Sequence, residues 1–157
     1  MDDAPACAIR IDKEGIWYYG DKEISRKEVV FFFYKNLTRD QKGRYLIELE
    51  NERCYVEVED TPFVVRSAQK MVSEGKNHEI ICLALSDGTS ERLDPATLLV
   101  GRENVLYCTI KSGVFSARFS RAAYYQIADY IEYDVTRDAY FIPLNGQSFY
   151  IQNSLDN

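Results

Sequence analysis

The chain is poor in the residues that most catalysis and metal binding use. It has 157 residues and one histidine, His78. The cysteines Cys7, Cys54, Cys82 and Cys108 are too far apart for zinc-type or redox spacing, and a disulfide framework is not expected in a chain of this length. No Lys/Arg cluster is present and the formal net charge is −6, which argues against a nucleic-acid partner. The longest apolar run, Val29 to Tyr34, is far too short to span a membrane. No basic segment followed by an apolar stretch opens the chain, so a cytoplasmic protein is expected. No catalytic, metal or nucleotide motif stands out, and no cofactor is expected.

What is present is a core-forming composition, 46% hydrophobic, which excludes disorder. There is also internal similarity. Ser25-Arg26 and Ser120-Arg121 each open a helical-looking run. At the same offset, Tyr45-Leu46-Ile47 answers to Tyr140-Phe141-Ile142, and Tyr55-Val56 to Tyr150-Ile151. Lys13-Glu14-Gly15-Ile16 pairs with Lys111-Ser112-Gly113-Val114 after a short gap. Such self-similarity decides architecture before it decides function.

Each copy reads as strand-turn-strand-helix-hairpin. In the first, Ser25 and Glu28 form a capping-box pattern, and the helix is expected to run to about Leu37. Its apolar stretch predicts burial all round, Phe32 and Phe33 included. In the second, a helix is expected from Ser120 to about Glu132, then a hairpin through Asn145-Gly146. Between the copies, Phe63 to Met71 and Glu79 to Leu85 read as a long hairpin joined through Glu74-Gly75-Lys76-Asn77 and completing the first sheet. The expected fold is α+β, with antiparallel sheets each carrying one helix. The expected lobes are 1–87 and 88–157.

Few residues are candidates for chemistry. His78 adjoins a predicted turn, where a solvated side chain is ordinary. Glu57, Glu59 and Asp60 could do acid–base work or hold magnesium, or could simply edge a strand. Arg26 and Arg121 each follow a Ser cap, where a cation opposes the helix dipole. Each either salt-bridges a carboxylate, such as Glu59 or Asp60 for Arg26, or meets a bound anion. Lys111 and Arg118 add to a modest basic set near Arg121. Tyr124 is a candidate to stack on a ligand.

Gly15-Ile16-Trp17-Tyr18-Tyr19 followed by Ile24-Ser25-Arg26, the Tyr55 to Phe63 stretch, and Lys111 to Arg121 resemble the bacterial domain of unknown function 1285 family. The likeness runs from about Cys7 to Gln152. It implies two domains with repeated structural motifs, a ligand cleft between them that suits a nucleotide-like molecule, and a signalling role. It carries over no catalytic residue. The protein is therefore expected to be a regulatory one, binding a small anionic ligand through Arg26, Lys111, Arg118, Arg121, Glu59, Asp60 and Tyr124. The alternatives are a protein-interaction scaffold and a carboxylate/metal-dependent enzyme. No metal site and no membrane contact are expected.

Overall fold

The computed structural model describes residues 4–73, 75 and 78–154. The expected connection through Glu74, Lys76 and Asn77, and the tail at residues 155–157, lie outside them. The described residues are mostly β, with two α-helices and three sheets. The chain divides into two compact units between Pro62 and Phe63.

The first unit holds β1 (Ala6–Ile11), β2 (Trp17–Tyr19), β3 (Lys22–Glu23), α1 (Lys27–Lys35), β4 (Leu37–Arg39), β5 (Tyr45–Leu49) and β6 (Glu52–Val58). Its six strands form one sheet in the order β3-β2-β1-β6-β5-β4. The turn from β1 to β2 is built by Asp12, whose carboxylate accepts the N–H groups of Glu14 and Ile16. Gly15 turns there at φ 84°, a conformation glycine takes without steric cost. Asp40 does the same between β4 and β5, accepting the N–H groups of Lys42 and Arg44.

The core of this unit gathers around Trp17, which is 1% exposed. Its ring stacks on Phe33 at 5.9 Å and meets the Tyr34 ring edge-on at 4.8 Å. The Tyr34 hydroxyl donates to the Pro62 carbonyl at 2.9 Å. Here the helix departs from its sequence reading. Only Tyr34 is buried on α1, and Phe32 is 51% exposed. A helix of 9 residues on one sheet has one face to bury, so the apolar run is not enclosed all round. The capping box is also absent: Arg26, not Ser25, is the N-cap, with no side-chain cap bond.

One covalent bond crosses the sheet. Cys7 on β1 and Cys54 on β6 form a disulfide, with Cα atoms 4.9 Å apart. A disulfide is not expected in a chain of this length, yet one is present, while Cys82 and Cys108 stay free. Adjacent strands bring together two residues 47 positions apart, which spacing along the chain could not show.

The second unit begins with the hairpin of β7 (Phe63–Ser73) and β8 (His78–Leu85), followed by β9 (Ser90–Arg92). A 3-10 turn at Pro95–Thr97 leads to β10 (Leu99–Val100), and another at Arg102–Asn104 to β11 (Leu106–Ile110). Then come β12 (Phe115–Phe119), α2 (Arg121–Ala128), β13 (Glu132–Asp134), β14 (Ala139–Leu144), β15 (Gln147–Tyr150) and β16 (Gln152–Asn153). The long hairpin does not complete the first sheet: β7 runs parallel to β12, in a sheet ordered β16-β10-β11-β12-β7-β8-β9. A parallel pairing with a distant strand leaves no local signature, and it moves the division of the chain from Asp87 to Pro62.

Burial alternates cleanly on β8, β11 and β12, as strands with one covered face require. Leu106, Cys108, Ile110, Phe115, Ala117 and Phe119 point into the core, and α2 adds Ala123 and Ile127. The Gln126 side chain accepts the Ala68 N–H at 2.7 Å and ties α2 to β7. α2 stops at Ala128, short of the expected Glu132, because Glu132–Asp134 pairs with β14 instead.

The third sheet is β13-β14-β15. Asn145 takes φ 53° at its hairpin turn, ahead of Gly146 at 79°, as the Asn-Gly pair predicts. Its side chain also exchanges hydrogen bonds with the Glu79 backbone on β8. The element order of the two units corresponds only in outline, since β3 has no counterpart ahead of α2. The pairing does not correspond: β1 joins β6, whereas β11 lies between β10 and β12, and among the described residues β15 pairs only with β14.

Candidate functional site

Around β9 and β11 the large sheet curls back on itself. The Lys111 N–H, at the end of β11, reaches the Glu91 carboxylate of β9 at 3.1 and 3.3 Å. The Lys111 ammonium reaches Asp87 at 2.9 Å and the Thr89 hydroxyl at 2.9 Å. Burial works to raise the Asp87 carboxyl, but hydrogen bonds from the Thr89 hydroxyl and N–H and from Lys111 outweigh it and hold the group below the usual range. Lys111 is therefore a clasp between strands, already neutralised, and not a free anion-binding cation.

Beside this clasp is a half-open concavity of about 530 Å³, with Glu91, Arg92, Asp94, Thr97, Thr109 and Ser112 on its walls. Thr97 Oγ1 accepts the Thr109 N–H at 3.1 Å and donates to the Asp94 carbonyl at 2.8 Å, so the wall is tied together. Burial first, then the charges of Glu91 and Asp94, push the Cys108 thiol beneath up to about 12. Two carboxylates against one guanidinium make this concavity unsuited to a simple anion. Neither it nor its residues was visible from the sequence, since Glu91, Arg92 and Asp94 form no recognisable spacing.

A different surface carries the basic candidates. Ser120 caps α2, its hydroxyl accepting the Ala123 N–H at 3.1 Å. The Arg121 and Ala122 N–H groups then have no intrahelical acceptor. Arg121, Tyr124 and Tyr125 lie three and four residues apart, on one face of the helix. All three are exposed, and the two rings meet edge-on at 5.8 Å. Arg118 sits half-buried on β12, across from Tyr107 on β11.

The first-unit candidates do not join into a site. Arg26 is bound to Glu28, its Nε 2.7 Å from the carboxylate, with both side chains exposed. Its partner is thus neither Glu59 nor Asp60, and it is not at the first helical position. Glu59 accepts the Lys13 N–H at 3.3 Å, closing the β1–β2 turn, and Asp60 is half-buried. Glu57 lies exposed on β6 in register with Arg10, and His78 is exposed at the start of β8. Among the described residues, no three His, Cys, Asp or Glu side chains are placed to hold a metal ion. No helix among them is long and apolar enough to cross a membrane.

Residues 2–61 match the N-terminal domain of the domain of unknown function family DUF1285. No curated protein matches the chain. Among solved structures, a DUF1285 family protein from Silicibacter pomeroyi DSS-3 is similar with a TM-score of 0.78 at 19% identity, covering 99% of this chain and 85% of its own. One from Shewanella baltica OS155 is similar with a TM-score of 0.62 at 19% identity, covering 77% of this chain and 90% of its own. The resemblance drawn from the sequence therefore holds: this chain is similar to the DUF1285 family in sequence over residues 2–61 and in fold over nearly its whole length.

Proposed function

We propose that this is a regulatory, non-catalytic protein that binds a small nucleotide-like anion, and that the second unit supplies its contacts. The observation that carries this reading is the exposed face of α2. Arg121 and two N–H groups of the first turn offer a phosphate both charge and donors. Tyr124 and Tyr125, one turn on, offer a base an aromatic surface. Lys111, Arg26, Glu59 and Asp60, engaged elsewhere, have no part in it.

A ligand that binds only the folded state stabilises it by about 2.7 kcal/mol at a hundredfold excess over the dissociation constant. A thermal-shift series with mono-, di- and triphosphate nucleosides and inorganic phosphate is expected to raise the melting temperature for at least one compound. Arg121→Ala and Tyr125→Ala should each abolish the shift while leaving the unliganded melt in place. If no compound shifts the curve, the scaffold reading takes over. One observation favours it: Tyr133 and Tyr140 face each other across β13 and β14 at 5.0 Å, exposed beside Val135.

A further inference from the structure

The six-stranded sheet of the first unit is two antiparallel meanders, β1-β2-β3 and β4-β5-β6. They meet along one line, where β1 runs parallel to β6. That seam is irregular. Ala6 pairs with Tyr55 and Arg10 with Glu57, so four positions along β1 pass two along β6. The extra length bulges at Ala8, a non-glycine residue at φ 61°. Such a bulge interrupts the ladder of hydrogen bonds. The Tyr55 N–H still reaches the Pro5 carbonyl at 2.8 Å, and the Glu59 N–H the Ile11 carbonyl at 2.9 Å, one at each end. The Cys7–Cys54 disulfide spans the seam on its bulged side.

Access is available there. Both cysteines are only half-buried. A hollow of about 370 Å³ bordered by Ala6, Ala8 and Tyr55 lies beside the bulge, and another of about 370 Å³ is lined by Cys54 itself, with Pro5 and Leu49. The disulfide thus sits where backbone pairing is interrupted and where a small thiol can approach.

We infer that Cys7–Cys54 is a redox modification site, a latch on the seam that a dithiol reductant opens. A thiolate of the dithiol attacks one sulfur and forms a mixed disulfide, and the other protein sulfur leaves as thiolate and takes a proton. The second thiol of the reductant, deprotonated, then displaces the remaining protein sulfur. Two electrons pass to the protein, which gains two thiols, and the reductant leaves as a disulfide. Opening frees the Pro5–Ile9 end of β1 from β6 and leaves the remaining pairings of the sheet in place. The inference is independent of the ligand proposed for α2.

The test is native-state alkylation with mass spectrometry on the full chain, titrated with dithiothreitol, alongside hydrogen exchange of the oxidised and reduced forms. The expected result is two additional alkylated cysteines, Cys7 and Cys54, without denaturant. Cys108 should stay unlabelled until unfolding, because it is buried and its thiol is protonated. The rise in exchange should be largest at residues 5–9 and 53–57 and smaller across the rest of the first unit, with a fall in melting temperature of roughly 10 °C. The double variant Cys7→Ser/Cys54→Ser should reproduce the reduced exchange pattern. If that variant fails to fold, the wild-type titration still decides. The inference is overturned if the protein purifies under air with both thiols free. It is equally overturned if the bond resists excess dithiol in the native state, or if reduction leaves exchange at the seam unchanged or unfolds the whole unit.

Discussion

The same dipeptide begins both helices, and it does different work in each. At Ser120-Arg121 the serine caps, and its hydroxyl takes the Ala123 N–H. At Ser25-Arg26 the serine lies outside the helix, Arg26 occupies the cap, and Glu28 is spent on the arginine. The helices differ in seating as well. Ala123 and Ile127 of α2 are wholly buried, whereas α1 buries only Tyr34. A start signal thus fixes where a helix is able to begin, and the surface beneath it decides which residue caps. The units as wholes show the same contrast. The second has a core fed by alternating strands, whereas the first packs Ile11, Leu46 and Ile47 around one tryptophan and relies on a covalent tie.

The largest expected effect tests that reliance. Replacing Cys54 by Ser opens a loop whose ends lie 47 positions apart. Loop-closure entropy alone assigns this about 4 kcal/mol, concentrated in the first unit. Urea unfolding of Cys54→Ser against wild type measures it, with tryptophan fluorescence reporting on that unit, since Trp17 is the chain's only tryptophan. A loss below about 1 kcal/mol would mean that the seam holds without its bond.

Next comes the seating of the helices. Ile127 is 0% exposed, and Ile127→Ala should cost about 2–5 kcal/mol. Phe32→Ala should cost about 0.5 kcal/mol or less, as ordinary surface substitutions do. Denaturant midpoints of the two variants compare the helices directly, and similar losses would erase the distinction.

How much of this was legible follows from the range of the interactions. The turns at Gly15 and Asn145-Gly146 were readable because a left-handed residue is a local demand. So were β8, β11 and β12, whose alternation records one covered face. The β7–β12 and β1–β6 pairings were not, because parallel neighbours far apart in sequence leave no spacing to find. The disulfide was hidden with them. The apolar run Val29–Tyr34 misled because hydrophobicity sets what favours burial, not how much surface is there to cover it. For the candidate site, Arg121 is legible from the helix start and Tyr124 from its place on the expected helix, whereas Arg92 and Asp94 are brought together only by the curl of the sheet.

The caps give a smaller effect. Ser120→Ala removes an acceptor from the Ala123 N–H and should cost about 1 kcal/mol, the usual value of such a cap. Ser25→Ala removes nothing the helix uses and should lie within about 0.5 kcal/mol of wild type. Chemical unfolding of both single variants checks this, and equal losses would restore the capping box at Ser25.

The smallest effect is electrostatic, and it again sets one unit against the other. Asp40 in the first and Asp87 in the second are turn carboxylates bound to a cation, Arg44 at 2.9 Å and Lys111 at 2.9 Å. Burial works to raise both. For Asp40 the N–H and guanidinium of Arg44 and the N–H of Lys42 prevail, and for Asp87 the Thr89 hydroxyl and N–H and Lys111, so both carboxyls sit below their usual range. A carboxyl depressed by folding stabilises the folded state at pH values above its unfolded pKa, near 3.9. That contribution is lost as the pH falls from there through the folded value. Melting curves between pH 6 and pH 2 should therefore fall more gently below about pH 4 in Asp87→Asn and Asp40→Asn than in wild type. Asp87 should show the larger change, because its side chain is 10% exposed against 22% for Asp40, and less solvent screens its partners. Equal slopes in all three proteins would show that neither clasp contributes to acid stability, and a larger change in Asp40→Asn would place the stronger electrostatic tie in the first unit.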